Sequence, residues 1–136
     1  MNVFVNKNAE IVVTIFTYQD PSGKISAWTK NLPEMQPKEV DSTLVSKNEV
    51  VFKVPGYKEN SELLDSAVEF DQSGKMRIVS SALTFNRFTK LLKRWDFKDQ
   101  DGAIVPANSE NVALLETVVA QIIARDLEAQ LVSQSA

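Results

Sequence analysis

The chain has 136 residues, 43% hydrophobic and 24% charged, which suits one globular domain with a core of its own. It contains neither cysteine nor histidine, which excludes disulfides, iron–sulfur clusters, thiolate zinc sites, cysteine nucleophiles, Ser-His catalysis and most transition-metal centres. The net charge is −3 but uneven: Lys75 to Lys98 holds seven basic residues and one acid, a segment of +6 on a remainder of −9.

In chain order, Val3-Phe4-Val5 is apolar until Asn6-Lys7-Asn8 breaks the run. Residues 11–18 are dense in β-branched and aromatic side chains and read as a strand buried along most of its length. Asp20-Pro21-Ser22-Gly23 is a turn, because proline presets φ and glycine tolerates positive φ after it. Residues 25–28 then alternate as the second strand of a hairpin. Residues 31–40, with Pro33 and Pro37, are a surface crossing. Leu44-Val45 and residues 49–54 read as further strand, ended by Pro55-Gly56.

After Gly56 the hydrophobic period becomes helical. Asn60 or Ser61 caps a short helix carrying Leu63, Leu64, Ala67, Val68 and Phe70, closed by Asp71-Gln72-Ser73-Gly74. Residues 76–79 open a helix or form one more strand. From Ser81 a helix places Phe85, Phe88, Leu92 and Trp95 on one face, at spacings of three, four and three. Arg87, Lys90, Lys93 and Arg94 lie toward its other sides. Asp99-Gln100-Asp101-Gly102 is another turn and residues 103–106 are extended. The last helix, capped by Asn108 or Ser109, carries the stripe Val112, Leu115, Val119, Ile122 and Leu127. Two amphipathic stripes joined by a short turn predict antiparallel packing, with Phe85, Phe88, Leu92 and Trp95 against Leu115, Val119 and Ile122. The expected fold is α+β in a single domain, residues 1–136: a small, mostly antiparallel sheet from residues 1–55, packed with two to three helices from residues 59–132.

Few groups carry chemistry. Asp99-Gln100-Asp101-Gly102 opens like a calcium loop, and Glu110 is the twelfth residue counted from Asp99. The glycine comes too early and the middle ligands are missing, so a plain acidic turn is expected, with no metal and no other cofactor. The four glycines are too widely separated for a Walker A loop or a dinucleotide fingerprint. No catalytic set is marked, and an enzyme is not expected. Apolar stretches of about five residues cannot span a bilayer, and no secretory leader is expected. The run from Arg87 to Trp95 interleaves cations and aromatics, which could follow a phosphate backbone. Its aromatics fall on the apolar stripe, however, and the pI is ≈ 5.0, so nucleic acid is not the expected partner. Arg87, Lys90, Lys93 and Arg94 are instead expected to form an exposed face for an acidic protein partner or a neighbouring subunit. The plainer reading is a solvated face neutralised by acids elsewhere in the fold.

The stretch Leu91-Leu92-Lys93-Arg94-Trp95-Asp96-Phe97-Lys98-Asp99-Gln100-Asp101-Gly102-Ala103-Ile104-Val105-Pro106, followed by Ser109-Glu110-Asn111-Val112, resembles a C-terminal pattern of small tail-module proteins of long-tailed bacteriophages, in particular tail assembly chaperones. There an apolar helix ends in a tryptophan near a short Asp-Gly turn, then a hydrophobic-Pro step and a polar-Glu-Asn helix start follow. The resemblance covers residues 85–131 and leaves the β-rich first half outside it. It implies no catalytic residues. It implies binding to the tape-measure protein, with tail tube subunits as a further partner, in the host cell cytoplasm; homo-oligomerisation is left open. Two other readings stand beside it: a structural or connector-type protein retained in the virion, which the β-rich half would suit, and a small nucleic-acid-binding regulator.

Overall fold

The β-branched run near the start of the chain forms β1 (Glu10–Gln19), and in the computed structural model, which describes residues 3–135, the sheet is built on it. On one side β1 pairs antiparallel with β2 (Ile25–Thr29), Phe16 standing opposite Trp28. On the other it pairs antiparallel with β3 (Ser46–Lys53), Val13 standing opposite Val50. Since β2 and β3 flank β1, the chain between them must cross it. Two 3-10 turns, Pro33–Met35 and Ser42–Leu44, shape that crossing. Leu44, expected in a strand, belongs to the second. Asp41 Oδ1 accepts the Thr43 N–H at 3.0 Å and the Thr43 hydroxyl at 2.7 Å, a local cap that competes with extended backbone.

The fold is α+β, with the helices in the second half: α1 (Tyr57–Asp65), α2 (Ser80–Leu91), α3 (Ser109–Ala113) and α4 (Thr117–Ser135). Strands are not confined to residues 1–55. β4 (Val68–Phe70) and β5 (Met76–Ile78) make a separate two-stranded ribbon, and β6 (Leu92–Trp95) joins the main sheet, whose order is β2-β1-β3-β6. Helix α1 starts earlier than its expected caps at Asn60 or Ser61, because the Gly56 carbonyl already accepts the Asn60 N–H at 3.0 Å. Val68 and Phe70, expected on that helix, are in β4 because residues 71–75 form a hairpin turn. Asp71 Oδ1 accepts the N–H groups of Ser73 and Lys75, each at 2.9 Å, and Gly74 takes φ +82°. The same aspartate-centred turn recurs at residues 20–24 and 99–103. The final helical stretch divides at residues 114–116: Asn108 caps α3 by accepting the Asn111 N–H at 2.9 Å, and α4 starts afresh.

Alternation along the strands sends Ile11, Val13, Ile15, Val50 and Phe52 to one face, where they share a core with Val119, Ile122, Ile123 and Leu127. Phe88 of α2 meets Phe52 edge-on, with ring centroids 5.3 Å apart. On the other face Phe16 and Trp28 stack at 5.8 Å and line a recess with Pro33, Val40 and Val45 of the crossing. A polar tie fixes α4 to the sheet. Asp126 is fully buried, and its Oδ1 accepts from the side-chain amides of Asn31 and Gln130, each at 3.2 Å. Gln130 also donates to the Val12 carbonyl at 3.0 Å. Among the described residues no helix is long and apolar enough to cross a membrane.

Of the stripe expected to pack against the last helix, Phe88 and Trp95 are buried and Leu92 is half-buried. Phe85 is 43% exposed and lies outside the core. Replacing Phe88 by Ala therefore costs about 3–5 kcal/mol. The same change at Phe85 costs under about 1 kcal/mol. Urea unfolding of the two variants beside the parent protein measures both; equal losses would place Phe85 in the core.

Candidate interaction surfaces

The helix expected to run through Trp95 stops at Leu91, because β3 offers an unpaired edge that the next four residues fill. The Leu92 N–H still bonds the Phe88 carbonyl, but its ψ of 125° is extended. Leu92 then stands opposite Phe52, Arg94 opposite Val51 and Trp95 opposite Val50, with a register shift between Val51 and Phe52. That shift leaves Lys93 as the extra residue of a bulge. It also explains why the spacing suggests a helix. In a regular strand residues 92 and 95 would face opposite sides; the bulge turns both to the core and so imitates the three-residue spacing of a helix. The Trp95 indole N–H donates to the Val105 carbonyl at 2.6 Å, and its ring meets Phe97 edge-on at 5.1 Å. Asp96 closes the strand pair: its Oδ1 accepts the Glu49 N–H at 2.9 Å and the Asn48 side-chain amide at 3.0 Å.

The four cations expected on one exposed helix face are divided by this change. Arg87 and Lys90 are on α2, Arg87 half-buried and Lys90 exposed. Lys93 and Arg94 are on β6 and converge on Glu10, at the start of β1. Lys93 Nζ is 3.0 Å from Glu10 Oε1; Arg94 engages the same carboxylate with both terminal nitrogens, at 3.0 and 2.9 Å. For these two the plainer reading, neutralisation by an acid within the fold, is the one the geometry gives. Hydrogen bonds from Arg94 and then Lys93 lower the pKa of Glu10 from 4.5 to about 2.

The turn acids are used locally. Hydroxyls of Ser22, Thr43 and Ser73 hold the carboxyls of Asp20, Asp41 and Asp71 below their ordinary pKa. Asp99 Oδ1 accepts the N–H groups of Asp101 and Ala103, at 2.9 and 3.0 Å, and so serves its turn. Among the described residues no group of three or more acids is gathered where it could hold a metal ion.

Two further surfaces carry no clear local pattern in the sequence, one apolar and one of mixed character. Register pairs Val68 with Ile78 and Phe70 with Met76 across the ribbon, on one face, while Glu69 and Arg77 form a 3.0 Å ion pair on the other. The apolar face points away from the core: Phe70 is 71% and Met76 61% exposed. Its signal was present, apolar–polar–apolar triplets on either side of an Asp-Gln-Ser-Gly-Lys turn, but three residues are too few for a period to declare itself. The second surface is a cleft of about 570 Å³ between the N-terminal segment and the end of α4. Val5, Val54, Pro55, Leu131 and Val132 line it, with Arg87 and Glu128 as its charged members. Its parts come from distant stretches of chain, so no local pattern could reveal it.

No family model, no curated protein and no solved structure matches the chain.

The Glu10 cluster makes stability depend on pH with a defined sign. A carboxyl whose pKa is lower in the folded chain stabilises fully above its unfolded value, 4.5, and the contribution is gone below the folded value, about 2. Glu10→Gln is therefore expected to be less stable than the parent at neutral pH, with the gap closing across that window. Thermal unfolding of both proteins on a pH series measures it; a gap that persists at the acid end would mean that Glu10 acts by packing instead of charge.

Proposed function

We propose that this chain is a non-enzymatic protein-interaction module of bacteriophage tail assembly. It chaperones the tape-measure protein, and tail tube subunits with it, in the host cytoplasm before they are built in. The observation that carries the reading is the apolar face of the β4–β5 ribbon. Two strands alone cannot bury one side of themselves, and apolar side chains left exposed next to one another mark a surface that meets another protein. The charges support this arrangement: Lys93 and Arg94 are committed to Glu10, and Lys90 stands exposed on α2, where it can steer an acidic partner.

The tail setting rests on the resemblance of residues 85–131. Within that stretch the tryptophan, the Asp-Gly turn and the Val-Pro step make one packed corner: Trp95 bonds Val105, the Val105 N–H bonds the Phe97 carbonyl at 2.8 Å, and Asp99 organises the turn between them. The second reading, a structural or connector-type protein retained in the virion, is favoured by a sheet whose edge the C-terminal half closes.

A tagged copy expressed with the tail genes tests the proposal. The tape-measure protein is expected to co-purify, Phe70→Asp is expected to lose it, and mass spectrometry of purified virions is expected to find none of this chain. Stoichiometric copies in the virion would transfer the reading to a structural protein. Tight binding of random-sequence DNA or RNA, with no protein captured, would overturn both.

A further inference from the structure

We propose that the outer edge of β5 accepts an extended segment of the client as a third strand of the ribbon, and that the segment it takes alternates apolar and acidic residues. This rests on the protein-interaction reading above and states how the ribbon recognises what it binds.

The hydrogen-bond pattern fixes which backbone groups are on offer. The Asp71 N–H bonds the Lys75 carbonyl at 3.0 Å and the Val79 N–H bonds the Ala67 carbonyl at 2.8 Å, at the two ends of a register that sets Val68 opposite Ile78, Glu69 opposite Arg77 and Phe70 opposite Met76. Bonded and non-bonded pairs alternate in an antiparallel ladder, so Glu69 and Arg77 bond each other and the pairs beside them do not. Val68 and Phe70 therefore turn their N–H and carbonyl groups to the outer edge of β4, and Met76 and Ile78 turn theirs to the outer edge of β5. None of these groups has another backbone partner among the described residues. The two edges differ in access. All three residues of β5 are exposed, whereas Val68 of β4 is half-buried.

The side chains define the strand that fits. Met76 and Ile78 are exposed on the apolar face, Arg77 lies on the polar one, and Lys75 precedes it by two residues. Residues directly opposite in a strand pair share a face; apolar pairs and opposite charges stabilise there, and like charges destabilise. The complement of β5 is therefore a strand with apolar residues opposite Met76 and Ile78, an acid opposite Arg77 and a second acid within reach of Lys75. The inner neighbour of β5 already has that alternation, since β4 is Val68-Glu69-Phe70. Lys75 makes no ion pair among the described residues, and Arg77 shares its own with Glu69 while most of its side chain stays exposed. Both belong to the basic segment that the charge asymmetry sets apart. A third strand also completes the ribbon, because two strands alone are marginal in water and three with an apolar face are not. A helix laid on the same face would cover the apolar side chains but leave the edge groups of Met76 and Ile78 unpaired. A second copy is the competing strand donor. Pairing β5 with β5 about its central residue sets Arg77 against Arg77, and pairing β5 with another copy's β4 uses the edge at which Val68 is half-buried.

Fluorescence anisotropy of the full chain with short labelled peptides tests this. A peptide alternating Val and Glu is expected to bind, and one alternating Val and Lys to bind at least about tenfold more weakly. In an antiparallel addition the valine N–H groups face β5 and the glutamate N–H groups face away. Methylating the valine nitrogens is therefore expected to weaken binding at least about tenfold, and methylating the glutamate nitrogens to leave it within about threefold. The double variant Glu69→Arg with Arg77→Glu keeps the cross-strand pair with its signs exchanged; circular dichroism is expected to show it folded, and the two peptides are expected to bind it within about threefold of each other. No binding of the acidic peptide, equal or tighter binding of the basic one by the parent protein, or indifference to valine methylation would each overturn the strand addition. Sedimentation velocity of the chain alone is expected to show a 15.2 kDa monomer. An assembly that the acidic peptide dissolves would give the edge to a second copy and overturn the client as its occupant. Capture of the tape-measure protein that depends on Phe70 but is not displaced by the acidic peptide would sink this inference and leave the functional reading standing. Peptide binding by a chain that captures no tape-measure protein would do the reverse.

Discussion

The pairing of β6 with β3 is the constraint on which the other features of the molecule depend. β3 is the third strand of a sheet begun near the start of the chain, and without β6 its outer edge would leave a row of backbone groups unpaired. Filling that edge requires four extended residues immediately after α2, so the helix must end at Leu91 whatever the periodicity beyond it. The strand carries Trp95 into the core, where the indole N–H needs an acceptor. The Val105 carbonyl supplies it, and the turn at residues 99–103 is thereby held back against the sheet. Both halves of the chain contribute to a single core for the same reason: the second half supplies a strand as well as the covering helices.

Packing, not charge, decides where β6 sits. Burying a large apolar side chain stabilises by about 1.5–3 kcal/mol, and Trp95 and Leu92 both turn toward the core. Ion pairs at a surface contribute far less. The Glu10 cluster is therefore a consequence of β6: once the bulge sets Lys93 and Arg94 on the outer side of the sheet, Glu10 of β1 is within reach of both. That consequence matters for function. It neutralises two of the cations on the surface that the charge asymmetry suggests, while both side chains stay exposed.

Much of the fold was legible in the sequence where one physical signal dominated. The β-branched density of β1, the Asp-Pro-Ser-Gly turn, the Asn108 cap and the stripe of α4 each follow from local chemistry, and so does the α+β class. The segment after Leu91 reads as helix because a bulged strand and a helix can both place residues three apart on one face. Residues 68–70 read as helix and residues 76–79 as either helix or strand because three-residue strands carry too little pattern, although the Asp71 turn repeats the chemistry of Asp20 and Asp99. Of the candidate site, the basic residues were visible as a composition, but their placement depended on Glu10, more than eighty positions earlier in the chain. The cleft was invisible for the same reason, since its walls meet only after folding.

The most direct measurement is the nuclear Overhauser pattern of residues 88–96 in isotopically labelled protein. Cross-strand contacts between the backbones of Val51 and Arg94 are expected, with helical chemical shifts ending at Leu91 and extended shifts from Leu92 to Trp95. Unbroken helical contacts from Ser81 through Trp95, with none to Val51, would contradict the β3–β6 pairing and every placement that follows from it.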